Sequence, residues 1–175
     1  MPTPKNLFSR RVDNVACFPS WIQKFVLTRL FGRVVPFIGT AGLCFEEITH
    51  TRMVVSIANR RKVQNHIKGV HAAATALLAE TASGFVLAMN VPDDKLMLLK
   101  SMKVDYLKRS QGQLRAVATL TPEEIETVSR ENKGEIAVPV VVNDASDTPP
   151  VACEMLWAWI PIKRRGGTLD AAKPA

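Results

Sequence analysis

"NHIKGVHAAATALLAE", residues 65–80, begins polar and basic, passes into alanine and leucine, and ends on a single carboxylate, Glu80. Followed to Val91, the run from Ala72 is twenty residues of almost wholly apolar chain, interrupted by Glu80, Ser83, Gly84 and Asn90. That length suits a bilayer crossing. The carboxylate opposes it, since an acid near a bilayer midplane costs about 2.5–3.5 kcal/mol on insertion scales. The run is therefore expected to be a helix hydrophobic on nearly all sides, which a soluble protein keeps only by wrapping it in other structure.

The flanking segments supply the wrapping. Residues 39–49 and 51–59 are β-prone and joined around His50, short enough for a hairpin. Residues 96–108 alternate in part, with Met102, Val104 and Tyr106 opposed to Lys103 and Asp105; residues 113–120 alternate again after a turn at Gln111 and Gly112. "TPEEIETVSREN" has Thr121 as N-cap, Pro122 at the first helical position and Glu124 three after the cap, which predicts a short helix. "EIAVPVVVN" and "VACEMLWAWIPI" follow as strands, separated by the turn-rich "DASDTPP". No repeat of solenoid length is present. The order predicts an α+β fold: one curled antiparallel sheet of about five to six strands around one long central helix. Such a sheet covers its helix on one side, so the open flank and an edge strand predict a homodimer.

At 175 residues, 47% hydrophobic and 22% charged, the chain fits one domain with a continuous core and is not wholesale disordered. The net charge of +7 points to an anionic partner: nucleic acid, a lipid headgroup or a phosphorylated small molecule. Nucleic acid is disfavoured, because Trp157 and Trp159 are not interleaved with Lys and Arg as stacking platforms require. Cys17, Cys44 and Cys153 show no C-x-x-C spacing and are expected to be buried thiols of a reducing cytoplasm, with no structural zinc. His66 and His71, five apart and about 140° around a helix, do not form a metal pair. No metal is expected.

Residues 1–36 are expected as a basic N-terminal helical segment, 37–162 as the domain, and 163–175 as a flexible tail. In "FPSWIQKFVLTRLFGRVV" (18–35), Ser20 is the candidate N-cap; Trp21, Ile22, Phe25, Val26 and Leu30 form the apolar side, and Lys24, Arg29 and Arg33 lie elsewhere. Its charges and the lack of a small-residue cleavage site exclude a signal peptide. It is expected to pack on the domain's edge, with contact to a membrane surface as the lesser alternative.

Asn65, then five residues, His71, the small residue Ala72, and an acidic residue, Glu80, eight further on resemble, together with the order of elements, the hotdog-fold thioesterases that act on acyl-coenzyme A. The resemblance covers about residues 37–162 and is closest to the branch called domain of unknown function 4442. It implies hydrolysis of acyl thioesters, a coenzyme A thioester as substrate with no other cofactor, an active site shared across a homodimer or dimer of dimers, and a cytoplasmic protein. Many relatives carry Gly where Ala72 stands. The Ser or Thr that some use on the strand after the helix has no firm counterpart, although Ser101 lies near.

Thioester hydrolysis needs N–H donors for the oxyanion and a base or nucleophile on the carbonyl's other face. A helix starting near Val70 offers free N–H groups and a positive dipole end, so Ala72 would act through its backbone. Glu80 lies about 12 Å further along the same axis, too far to serve that start. If two such helices lie antiparallel across a twofold axis, Glu80 of one chain can face Ala72 and Asn65 of the other, giving the shared site that the resemblance also implies.

In this scheme Glu80 is the water-activating base or the nucleophile, with burial raising its pKa. Asn65 orients water or polarises the carbonyl, and His71 positions the helix start. The structural alternatives are a paired acid, a loop cap and a packed imidazole. Two basic clusters, Arg60, Arg61 and Lys62, and Lys108 and Arg109, would hold the phosphates of coenzyme A or form plain solvated surface. The acyl chain would run along Met89, Leu96, Leu98 or Met102. The competing function is a non-catalytic hotdog module binding an acyl or coenzyme A ligand.

Overall fold

The structure, a computed structural model, describes residues 6–146 and 148–162 together with the short backbone pairing of 164–165 with 168–169. The flexibility expected of 163–175 otherwise falls outside the described residues.

At the centre lies helix α4 (Ala72–Ala88), with Leu78, Ala79, Ala82, Val86 and Leu87 fully buried. Around it run β1 (Leu43–Ile48), β2 (Arg52–Ile57), β3 (Lys95–Tyr106), β4 (Leu114–Thr119), β5 (Gly134–Val138), β6 (Val140–Asn143) and β7 (Val151–Pro161). All pairings are antiparallel, in two ladders ordered β1-β2-β4-β6 and β3-β7-β5. The ladders meet at Pro139. Val138 pairs with Met155 of β7, and two residues on Val140 pairs with Ala118 of β4. Proline has no N–H to give either ladder, while its carbonyl accepts the Thr119 N–H at 3.2 Å. One extended stretch thus leaves one ladder and enters the other, and the sheet curls around α4. Counted this way there are six strands, with β1 and β3 as its two edges.

The polar residues of the apolar run have distinct packing roles. Ser83 accepts the Trp157 indole N–H at 3.0 Å. Gly84 makes room for the same ring, since a Cβ there would lie 2.7 Å from it. Asn90 is fully buried and donates to the carbonyls of His50 and Val86 at 2.7 and 2.9 Å, while its Oδ1 meets His50 Nδ1 at 2.9 Å. Gly84→Val is expected to destabilise the fold by about 1–3 kcal/mol through overpacking, measured by urea unfolding.

Three helices precede the sheet: α1 (Leu7–Asp13), α2 (Ser20–Val34) and α3 (Pro36–Ala41). They are tied to α4 by an aromatic cluster in which Phe31 lies 5.2, 4.8 and 4.9 Å from Phe8, Phe45 and Phe85. Asn6 donates to the carbonyls of Ala88 and Val91 at 2.7 and 2.6 Å, satisfying the end of α4. Along the β1 edge, Thr28 Oγ1 of α2 accepts the Phe45 N–H at 3.0 Å. A helix therefore covers that edge.

Several expectations are corrected. Residues 39–41 are helical, not strand, because Pro36 starts a turn that Gly42 ends in a left-handed conformation at φ +70°. Pro19, not Ser20, occupies the α2 cap. The expected apolar side of α2 is also rotated: Leu27 and Phe31 are buried, whereas Trp21 and Phe25 are exposed. Cys17 is exposed and Cys44 and Cys153 are half-buried. The short helix α5 (Pro122–Arg130) forms with the expected box, Thr121 Oγ1 accepting from Glu124 N and Glu124 Oε2 from Thr121 N.

Candidate active site

The start of α4 is built by a tight loop. Asn65 Oδ1 accepts the N–H groups of Ile67 and Gly69 at 3.1 and 3.0 Å, and Asn65 N donates to Gly69 O at 2.9 Å. Lys68 takes a left-handed conformation at φ +61° to close it. The Asn65 carbonyl oxygen is thereby committed to the loop, while its Nδ2 has no acceptor among the described residues. His71 is the N-cap: its Nδ1 accepts the Ala73 N–H at 3.1 Å, which places the ring proton on Nε2. The Ala72 N–H, at the first helical position, meets no acceptor among the described residues. It carries the positive end of a seventeen-residue helix.

Beyond the loop, Tyr106 at the end of β3 donates its hydroxyl to Ala72 O at 2.7 Å, and Arg109 donates to Ile67 O at 2.7 Å. Asn65, Ala72, Thr75, Tyr106, Lys108 and Arg109 line a cleft of about 100 Å³. Tyr106 and Thr75 were not among the sequence candidates. Tyr106 carried a signal, because its alternation with Met102 and Val104 set all three on one side of β3.

Cross-strand pairs show which side that is. Tyr106, Val104, Met102 and Leu99 lie opposite Val151, Cys153, Met155 and Trp157. Trp157 touches α4, so these residues face the helix. Yet Met102 and Tyr106 remain 47% and 51% exposed there. Leu98 and Ser101 pair with Ala158 and Leu156 and point to the other face; Met89 is buried in the core. Of the four acyl-chain candidates, Met102 is thus the exposed one on the helix-facing side.

On α4, Ala73, Ala76, Leu77 and Glu80 fall within one stripe at helical spacing, and none of the four is buried. The stripe continues to Gly84, where Trp157 closes it. Glu80 therefore sits on the helix's uncovered flank, half-buried. Burial pushes its carboxyl up from the ordinary range, only partly offset by Thr81. Thr81 Oγ1 approaches Glu80 Oε2 at 3.5 Å, and no Lys, Arg or His among the described residues pairs with it. By contrast Ser83 and Asn90, the polar side chains further along the run, are firmly bonded.

Glu80 does not line the cleft at Ala72, from which it stands two turns away. Of the basic candidates, Lys108 and Arg109 border that cleft, whereas Arg60 turns to Gly42 O at 3.0 Å, beside α2, and Arg61 and Lys62 lie exposed in a short 3-10 turn. Among the described residues, no group of three or more His, Cys, Asp or Glu gathers to hold a metal. Among the described residues, no helix is long and apolar enough to cross a membrane.

A curled antiparallel sheet around one helix defines the hotdog fold. The chain belongs to the family described as domain of unknown function (DUF4442), which it matches over residues 23–160. A Pseudomonas aeruginosa protein of unknown function, described as "Probable Thioesterase", superposes with a TM-score of 0.70 at 18% identity, covering 78% of this chain and 94% of its own. A structural-genomics protein superposes equally, at TM-score 0.70 and 26% identity, over 88% of this chain and 98% of its own. A thioesterase from Haemophilus influenzae gives 0.61 at 12% identity, over 77% and 88%. No curated protein matches by sequence.

Proposed function

We propose that the protein hydrolyses acyl thioesters, with acyl-coenzyme A as substrate, in an active site completed across a homodimer. The observation that carries this is Glu80: a carboxylate without a charged partner among the described residues, on the uncovered flank of the central helix, in a fold shared with thioesterases. Two copies packed with their α4 helices antiparallel across a twofold axis would bring Glu80 of one to Ala72 of the other. The same packing would cover Met102 and Tyr106 on β3.

In this reading Glu80 takes a proton from water as the water attacks the thioester carbon. The negative charge that develops on the carbonyl oxygen is received by Ala72 N–H, with Asn65 Nδ2 as the second donor. Collapse of the tetrahedral intermediate breaks the C–S bond and releases the acid and the thiol, the proton held by Glu80 passing to the departing sulfur. His71 and Tyr106 keep the helix start in place, and Lys108 and Arg109 hold the phosphates of coenzyme A.

A panel of acyl-coenzyme A and acyl-pantetheine thioesters tests this. The wild type should hydrolyse both. Lys108→Ala/Arg109→Ala should raise KM for acyl-coenzyme A about tenfold, the loss of a charge-assisted contact, with kcat and the pantetheine reaction little changed. Binding of acyl-coenzyme A without turnover of any thioester would instead select a non-catalytic module.

A further inference from the structure

The outward side of α2 is apolar, aromatic and basic, and none of this is used by the site above. Trp21 and Phe25, one turn apart, are 71% and 61% exposed, and the Arg29 guanidinium lies over the Phe25 ring at 5.3 Å from its centroid. Phe18 precedes the helix, Val34 is its last residue and Phe37 lies in the first turn of α3, all exposed. Trp21 and Phe25 thus expose large aromatic surface side by side on one side of the helix.

Beside the stripe, Arg29, Arg33 and Arg60 converge on a cleft of about 470 Å³ between α2, α3 and β1. No carboxylate among the described residues pairs with any of the three. The cleft is preformed, because α2 and α3 cross backbone to backbone: a Cβ on Gly39 would lie 2.6 Å from Gly32 O.

We propose that this face docks the protein on an anionic lipid bilayer, with Trp21, Phe25 and Phe37 entering the headgroup boundary and Arg29, Arg33 and Arg60 binding lipid phosphates. Charge selects the occupant. The sequence holds no acidic residue from Asn14 to Phe45, and the nearest following carboxylates, Glu46 and Glu47, are spent on Arg115 and Arg52 at 2.8 and 3.1 Å. An aromatic stripe flanked by arginines on a helix lying across the surface matches the boundary between acyl chains and anionic headgroups. Position agrees. Helix α2 lies along the β1 edge, at the opposite end of the sheet from β3, so a dimer formed through β3 and α4 leaves the face free and offers two of them to one membrane.

The test compares phosphatidylcholine vesicles with and without phosphatidylglycerol. Trp157 and Trp159 are buried, so a blue shift of tryptophan emission on vesicle addition reports Trp21. Wild type is expected to co-sediment with the anionic vesicles, to shift its emission to the blue, and to release at high salt. Trp21→Ser/Phe25→Ser and Arg29→Gln/Arg33→Gln should each weaken partition about tenfold or more, with thermal melting and sedimentation mass unchanged. No partition by wild type, or equal partition by both variants, overturns the proposal. So does a loss of oligomeric mass in the aromatic variant, which would assign the face to contact between copies.

Discussion

Glu80→Gln is expected to lower kcat for thioester hydrolysis by about 10²–10⁴-fold while KM and sedimentation mass stay unchanged. The glutamine keeps the shape and the Thr81 contact but cannot take a proton. Burial raises the Glu80 carboxyl, so activity should climb with pH as the group ionises, with an inflection above the ordinary carboxylate range, and the variant's residual rate should lack that inflection. Stability carries the same signature. An acid whose folded pKa exceeds its unfolded value binds more protons when folded between the two values, so stability falls as pH rises through that window. Glu80→Gln removes this fall and should melt at or above the wild-type temperature at neutral pH. A structural acid would give the reverse: a destabilised protein with kcat preserved.

Ala72→Pro is expected to cost about 10²–10³-fold in kcat with little loss of stability. Proline deletes the one backbone N–H proposed for the oxyanion, and the local backbone accepts it. Ala72 is the first helical residue, where that N–H makes no helical bond, and His71 before it is extended at φ −63° and ψ 143°, as a residue preceding proline must be. The Tyr106 bond to Ala72 O survives, so the helix start remains tethered. Mixing this variant with Glu80→Gln is the stronger measurement. If each site takes Glu80 from one chain and Ala72 from the other, random reassortment restores about a quarter of wild-type activity, because half the dimers are mixed and each mixed dimer has one intact site. Sites complete within one chain would restore none.

The apolar run from Ala72 determined the central helix, and alternation on both sides determined that strands surround it. The box at Thr121 and Glu124 was equally local, since every atom it needs lies within four residues. Alternation also set Met102, Val104 and Tyr106 on one side of β3, a property of the backbone's twofold period. Residues 39–41 depart from the expected strand because β-prone side chains there are overruled by a proline start and a left-handed glycine end. The buried side of α2 differs from the expected one because its sequence offers two apolar sides. Only docking against Phe8, Phe45 and Phe85 decided that Phe31 goes in and Phe25 stays out.

The candidate site divides in the same way. Sequence by itself determined that a carboxylate stands on a buried helix eight residues after its small, capped start, for helical spacing is a local property. Tertiary structure alone decided that Ser83 and Asn90 are spent on Trp157 and His50 while Glu80 is left without a charged partner among the described residues, that Tyr106 reaches Ala72, and that Lys108 and Arg109, not Arg60, border the cleft. The partners in each of those contacts lie thirty or more residues apart, and no periodicity in a chain encodes which distant segments its sheet will fold against one another.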